Sequence, residues 1–411
     1  MPGFREVFTV GEYRALFAAH FVSIAGDQFA RVALSVHVYA RTESAGLTAL
    51  TYALTFLPDL VGGPLLTGLA DRFPRRQVMI TTDLVRALLL ALMAIPQVPL
   101  WLLCTLLVAA QLAGAPGNAA RAALLPQVLP GELYAVGQAA MNTVTQVAQV
   151  AGFVTGGGLV AWIGARGVLL ADAATFLASA LLITRWVIHR PASMIVRDRT
   201  WHLVQGVRLV SRRPMLRALV AMACVSGFYI AGEALAAPYA VELGAGPIAV
   251  GLMFAAYAAG TATGMLVLAR LTEPARLRAM PLLVIAACAP LTLCVLQPGL
   301  AGVLLLFTLS GAGSSYHLVT ATTFVRAVPD ELRGQSFGLA VTALRVSQGL
   351  GVAAAGVAAD HWAPHLVVAA AGALGVLTAC GTAWLWTLSN DASRWGATSR
   401  WDGQDGAQKY G

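Results

Sequence analysis

The stretch Val168–Ile183, VLLADAATFLASALLI, decides how this chain folds: it holds one ion, Asp172, in an otherwise apolar or neutral run. With its neutral flanks it reaches the roughly 20 residues that cross a hydrocarbon core. Its two ends differ. A single arginine, Arg166, precedes it, whereas Arg185, Arg190 and a basic run follow it. Four more blocks, Leu84–Ile95, Trp101–Ala113, Leu282–Leu296 and Leu366–Ala379, are built the same way. The 411 residues are 58% hydrophobic and only 11% charged, against about 25% charged in soluble domains. Mean hydropathy is +0.73. The first apolar stretch, near Leu16–Tyr39, is too long and too polar for a cleavable signal and reads as the first span.

Glycines, prolines and charge clusters set the boundaries. They predict an all-α membrane protein of about twelve spans, near 14–38, 46–70, 77–95, 100–125, 133–162, 167–187, 214–240, 248–270, 278–297, 299–325, 333–358 and 364–388. Basic residues then set the orientation. With a cytoplasmic N-terminus, 22 of the Arg and Lys residues fall on the inner side and two, Arg41 and Arg166, on the outer; Arg31, Arg86 and Arg345 lie within spans. Both termini are expected in the cytoplasm. The net charge is +8, but it is scattered between spans, which argues against nucleic acid as a partner. Arginine outnumbers lysine 26 to one, Lys409, a bias that suggests a GC-rich bacterial genome and hence an inner membrane. The five cysteines fall inside apolar segments and form neither a disulfide framework nor a zinc spacing.

The chain repeats itself. Leu129-Pro-Gly-Glu-Leu133 matches Val328-Pro-Asp-Glu-Leu332, and at the same offset Gln149 meets Gln348, Gly152 meets Gly351 and Gly157 meets Gly356. Arg14-Ala-Leu16 and Val22-Ser23 likewise match Arg217-Ala-Leu219 and Val225-Ser226. The repeat predicts two parallel six-helix halves, 1–187 and 214–390, joined by a basic cytoplasmic connector over 188–213 and followed by a disordered tail over 391–411. That is a transporter layout, with the site between the halves.

Ions inside a membrane cost at least about 2.5–3.5 kcal/mol each and need a partner or a wet cavity. Asp27 falls about 21 Å into the first span at 1.5 Å per residue, and Arg31 follows one turn on. They are either a proton- or substrate-responsive pair or a locked structural one. Glu233 in span seven is the repeat counterpart of Asp27, with no basic residue one turn away on either side. An acid in that setting favours its protonated form, which makes Glu233 the first candidate for proton coupling, ahead of Asp27 and Asp59. Gln146 with Gln149, and Arg345 with Gln348, are expected as matched polar faces on opposite cavity walls. Arg345 serves there as a ligand contact or as an ion partner of Glu233. Tyr52, Phe56, Tyr229, Tyr257 and Tyr316 are candidate aromatic lining, and His317 a lone histidine. Asp83 with Arg86, at i and i+3, and Asp172 are expected to be structural.

The loop Gly68-Leu-Ala-Asp71-Arg72-Phe-Pro-Arg75-Arg76 resembles the signature loop of the major facilitator superfamily. Gly26-Asp27, Asp83-Leu-Val-Arg86-Ala, Ala120-Arg121-Ala-Ala-Leu-Leu-Pro126 and Ala171-Asp-Ala-Ala-Thr-Phe176 look like its macrolide-efflux and enterobactin-exporter branch. Thr67 and Pro74 stand where that loop carries glycine, and Gly157 stands where the antiporter motif of drug exporters carries proline. The resemblance implies that Asp71 sits near Gly334 at the start of span eleven, facing its partial positive charge, with Arg121 as second partner. Arg72, Arg75 and Arg76 belong to the same gate.

There is no His-x-x-Glu-His, no paired Cys-x-x-Cys and no phosphate-binding loop for ATP. The expectation is a monomeric secondary transporter in a lipid bilayer, without cofactor or metal and not an enzyme, exporting an amphipathic small molecule against protons. An importer or facilitator is the alternative in the same class, and a membrane enzyme or receptor the one outside it.

Overall fold

The computed structural model describes residues 4–56, 72–191 and 203–401. In chain order the helices are α1 (Phe4–Val7), α2 (Gly11–Thr42), α3 (Ala45–Ala53), α4 (Arg75–Met93), α5 (Leu100–Val128), α6 (Glu132–Trp186) and α7 (Leu203–Arg212). Then come α8 (Pro214–Cys224), α9 (Ser226–Tyr229), α10 (Ala231–Ala234), α11 (Ala236–Glu242) and α12 (Pro247–Arg270). Next are α13 (Glu273–Thr292), α14 (Gly299–Ser314), α15 (Tyr316–Ala327), α16 (Asp330–Ala359) and α17 (Pro364–Trp401). The last helix runs past residue 390, so 391–401, read above as an unstructured tail, continues it.

α6 is two helices in one. Gly164 has φ +72° and reverses the chain, at a conformation that costs glycine little because it has no Cβ. Eight helices among the described residues are long and apolar enough to cross a membrane. Their outer faces carry large apolar side chains such as Trp162, 82% exposed, and Leu377, 71% exposed. A water-facing surface avoids patches of that kind, whereas lipid tails match them.

The two halves meet at the end of the molecule that carries Ser44. There α3 lies against α16, and α6 crosses α12. The crossing depends on glycine: a Cβ on Gly251 would sit 2.8 Å from the Gly157 Cα. Gly157, the departure from the proline motif, thus lets the two backbones touch. Asp360 completes the closure by accepting from the Gly46 amide at 2.9 Å and the Ser44 hydroxyl at 3.1 Å. At the opposite end Arg190 clamps Glu12 at the start of α2, with its second nitrogen at 2.8 Å.

Candidate functional site

Span seven is broken into α8, α9, α10 and α11, and Glu233 sits in the four-residue piece α10. Its carboxylate is 9% exposed and accepts a hydrogen bond from the Tyr52 hydroxyl of α3, in the other half. The Tyr52 ring stacks on Phe254 at 6.1 Å, and Phe254 on Phe153 at 5.0 Å. Three rings from α3, α12 and α6 therefore stack in a row that begins at the tyrosine bound to the acid. The acid without a local partner has found one in the opposite half.

Arg31 is not the partner of Asp27. The Asp27 carboxylate pairs instead with Arg86 of α4 at 2.5 Å, and the Arg86 guanidinium lies 4.1 Å over the Phe176 ring. A neighbouring helix supplies a guanidinium already fixed by stacking. The expected Asp83–Arg86 pair is absent for the same reason: Asp83 accepts from the Ser179 hydroxyl at 2.6 Å. Asp172 is 0% exposed. One of its oxygens accepts from Thr175 at 3.0 Å, and the other has no hydrogen-bond partner among the described residues.

Arg121, expected beside Asp71, reaches the His20 Nδ1 at 2.7 Å. A guanidinium only donates, so Nδ1 accepts and Nε2 carries the proton toward Thr145 at 3.1 Å. His20, Asp27, Asp83, Arg86 and Arg121 line one cavity of about 350 Å³ within the first half. His20 escaped the sequence reading, although its seven-residue spacing from Asp27 puts both on one face of α2.

The remaining candidates divide. Arg345 donates to Gln348 at 3.0 Å and lies 5.4 Å over Phe56, so these two share α16 and reach toward α3. Gln146 approaches the Met265 sulfur at 3.7 Å, a contact between halves. Gln149 is half-buried on the same helix. Tyr229 bonds His317 at 2.7 Å and stacks on Tyr257 at 6.2 Å, a cluster wholly within the second half. Tyr316 donates to the Met222 carbonyl at 2.9 Å and packs there. Arg75 donates to the Ala123 carbonyl at 2.9 Å and Arg76 to that of Thr184 at 2.5 Å, while Arg72 is exposed. Arg75 and Arg76 thus bind carbonyls near the ends of neighbouring helices, where cations are favoured. Asp59 and Asp71 lie outside the described residues.

Two helical halves closed at one end around a buried acid are the architecture of a secondary transporter. The Major Facilitator Superfamily profile matches residues 16–238 and 219–409, and the chain belongs to that family. A stretch of 261 residues is 28% identical to an uncharacterized MFS-type transporter, YvqJ, of Bacillus subtilis (strain 168). It covers 60% of this chain and 62% of that relative. Among solved structures, the nucleoside transporter NupG superposes with a TM-score of 0.75 at 12% identity, over 92% of this chain and 99% of that one. An inward-facing bacterial homologue of the human lysosomal transporter Spinster gives 0.68 at 16% identity, over 92% and 94%. These likenesses define the fold.

Proposed function

We propose that this chain is a proton-coupled exporter of an amphipathic small molecule, such as an antibiotic, a drug or a siderophore-like natural product. It works as a monomer by alternating access across a bacterial inner membrane, in the branch that its motifs resemble. Twelve spans fit the described helices: α6 is two, α2 and α4 fall short on hydropathy because they carry ions, and most of span two lies outside the described residues. The basic residues put both termini and the 188–213 connector in the cytoplasm. The Ser44 end is then external, and the carrier faces inward.

The observation that carries this reading is the hydrogen bond from Tyr52 to Glu233 across the interface of the halves. A bond to an ionised carboxylate is roughly twice as strong as one between neutral groups. Ionised Glu233 therefore favours closure at the Ser44 end and keeps an empty, unprotonated carrier from returning outward. Substrate that displaces Tyr52 releases it. A proton taken up outside spares the acid desolvation as an ion while the end closes again. Loss of that proton to the inside restores the strong bond that holds the end shut. Each step is a differential interaction with the two states, which coupling requires. Asp27 pairs with Arg86 instead of Arg31. Asp71, outside the described residues, is retained as the latch at span eleven, with Arg121, which also reaches His20, as its second partner.

Accumulation of a labelled macrolide and a labelled siderophore in whole cells, with and without a protonophore, tests the direction. Export predicts that the protonophore raises accumulation; a fall means import. Glu233→Gln should lose gradient-driven efflux while keeping counterflow exchange.

A further inference from the structure

We propose that Asp172 and Asp27, which line one small cavity with Arg86, form a second proton-binding station, wired to Glu233 through Tyr52. The wire rests on the reading of Glu233 as the coupling acid; the station does not.

The geometry is a chain of polar groups between two cavities. The larger one, about 350 Å³, opens among α2, α4, α5 and α6 and ends on Asp27 and Arg86. The smaller, about 30 Å³, has the same two residues on one wall, with Asp172, Arg31 and Tyr52 on the others. That is room for about two water molecules between groups that can hydrogen-bond them. Tyr52 belongs both to this cavity and to Glu233. The Asp27–Arg86 bridge is thus the partition between the two spaces, and Tyr52 the exit toward the coupling acid.

Charge identifies what the station holds. Arg86 is paired with Asp27, whereas Asp172 is fully buried, with no ion pair among the described residues and an oxygen that has no hydrogen-bond partner among them. An uncompensated buried carboxylate is far more expensive than a neutral acid, and two carboxylates in one site do not both stay ionised. The other ionisable groups around them do not cancel the excess. Asp83 of α4 adds negative charge and is held by Ser179. Arg121 of α5 is engaged with His20 of α2, and Arg31 of α2 lines the same small cavity, which with Glu233 behind Tyr52 leaves three acids to two guanidiniums. One proton completes the site, and the orphaned Asp172 oxygen is where it binds.

Transfer needs no other reactant. When Glu233 is protonated the bond reverses, and the acid gives its proton to the Tyr52 oxygen. In the same step the Tyr52 hydroxyl, turned to the small cavity, passes its own proton to water there. That water gives one proton to the station, and the station releases one into the large cavity when Arg86 and Asp27 part. Every group ends with the protons it began with, except Glu233, which has lost one.

Infrared difference spectra of the purified protein in lipid vesicles, taken after a pH step, read protonated carboxyls without any substrate. Wild type should show two buried carboxyl bands, one removed by Asp172→Asn and the other by Glu233→Gln. Tyr52→Phe should slow the Glu233 band by roughly a hundredfold, the low end of what a positioned proton donor contributes. It should leave the Asp172 band at its own rate. Asp172→Glu, which keeps the acid and moves its band, serves if the asparagine variant is lost to misfolding. An Asp172→Asn spectrum identical to wild type overturns the station. An unslowed Glu233 band in Tyr52→Phe overturns the wire while sparing both acids. Absence of any band sensitive to Glu233→Gln sinks the coupling reading and leaves the station standing.

Discussion

Removing the Asp360 carboxylate should loosen the closed end of the transporter, and the structure sets the size of the effect. Asp360, from the second half, accepts the Gly46 amide at 2.9 Å and the Ser44 hydroxyl at 3.1 Å. Gly46 is in the first turn of α3, whose amides have no partner within the helix. Losing an acceptor of this kind costs about 1 kcal/mol, and losing a negative charge at an exposed helix start costs about 0.3–1 kcal/mol more. The group is exposed, so the sum is not raised by burial, and one or two kcal/mol moves an equilibrium by roughly 5–30-fold. Asp360→Ala should therefore raise the population open at the Ser44 end by that factor, and Asp360→Asn, which keeps an acceptor, by less. Spin labels at Leu47→Cys and Trp362→Cys, in a background with Cys380→Ser, report the distance by double electron–electron resonance. A Cβ on Gly356 would meet the Ala49 side chain at 2.5 Å, so Gly356→Leu is the wedge that must separate the labels. If the wedge separates them while Asp360→Ala leaves the distribution unchanged, the lock does not exist.

Arg86→Met should destabilise the protein by about 3 kcal/mol, the low end for breaking a buried pair because Asp27 keeps some exposure. The double variant with Asp27→Leu should recover much of that loss in thermal unfolding, and no recovery would mean that Arg86 acts through Phe176 alone. Gly251→Ala should weaken the contact between halves by about 1–3 kcal/mol, the usual cost of overpacking, whereas Gly158→Ala, with nothing within 4 Å of its Cβ, should be silent. Equal melting temperatures for the two would contradict the close crossing of α6 and α12. A cysteine replacing His189 in the connector should react with an impermeant maleimide only after the cells are permeabilised. Labelling of intact cells would reverse the topology.

The long-range plan was legible because lipid imposes it. Apolar length, the Gly164 break between two spans and the 199-residue repeat follow from backbone satisfaction and from duplication, and both leave marks along the chain. Partner choice inside the membrane was not legible, and Arg86 shows why. Spacing along α4 offered it Asp83, three residues away, but its guanidinium crosses to α2 and takes Asp27 at 2.5 Å. Local spacing yields pairs worth a few tenths of a kcal/mol on a water-exposed helix. Within a bundle the competition is decided by which ion would otherwise be left desolvated, at a cost several times larger. Asp83 could be satisfied by the hydroxyl of Ser179, and Asp27 had the stacked guanidinium within reach. The same rule gives Glu233 a tyrosine from the opposite half and leaves Asp172 with an oxygen that no described residue satisfies. The sequence revealed how many ions the bundle must accommodate, and only the packing of α2, α3, α4 and α6 determines which of them still has need of a proton.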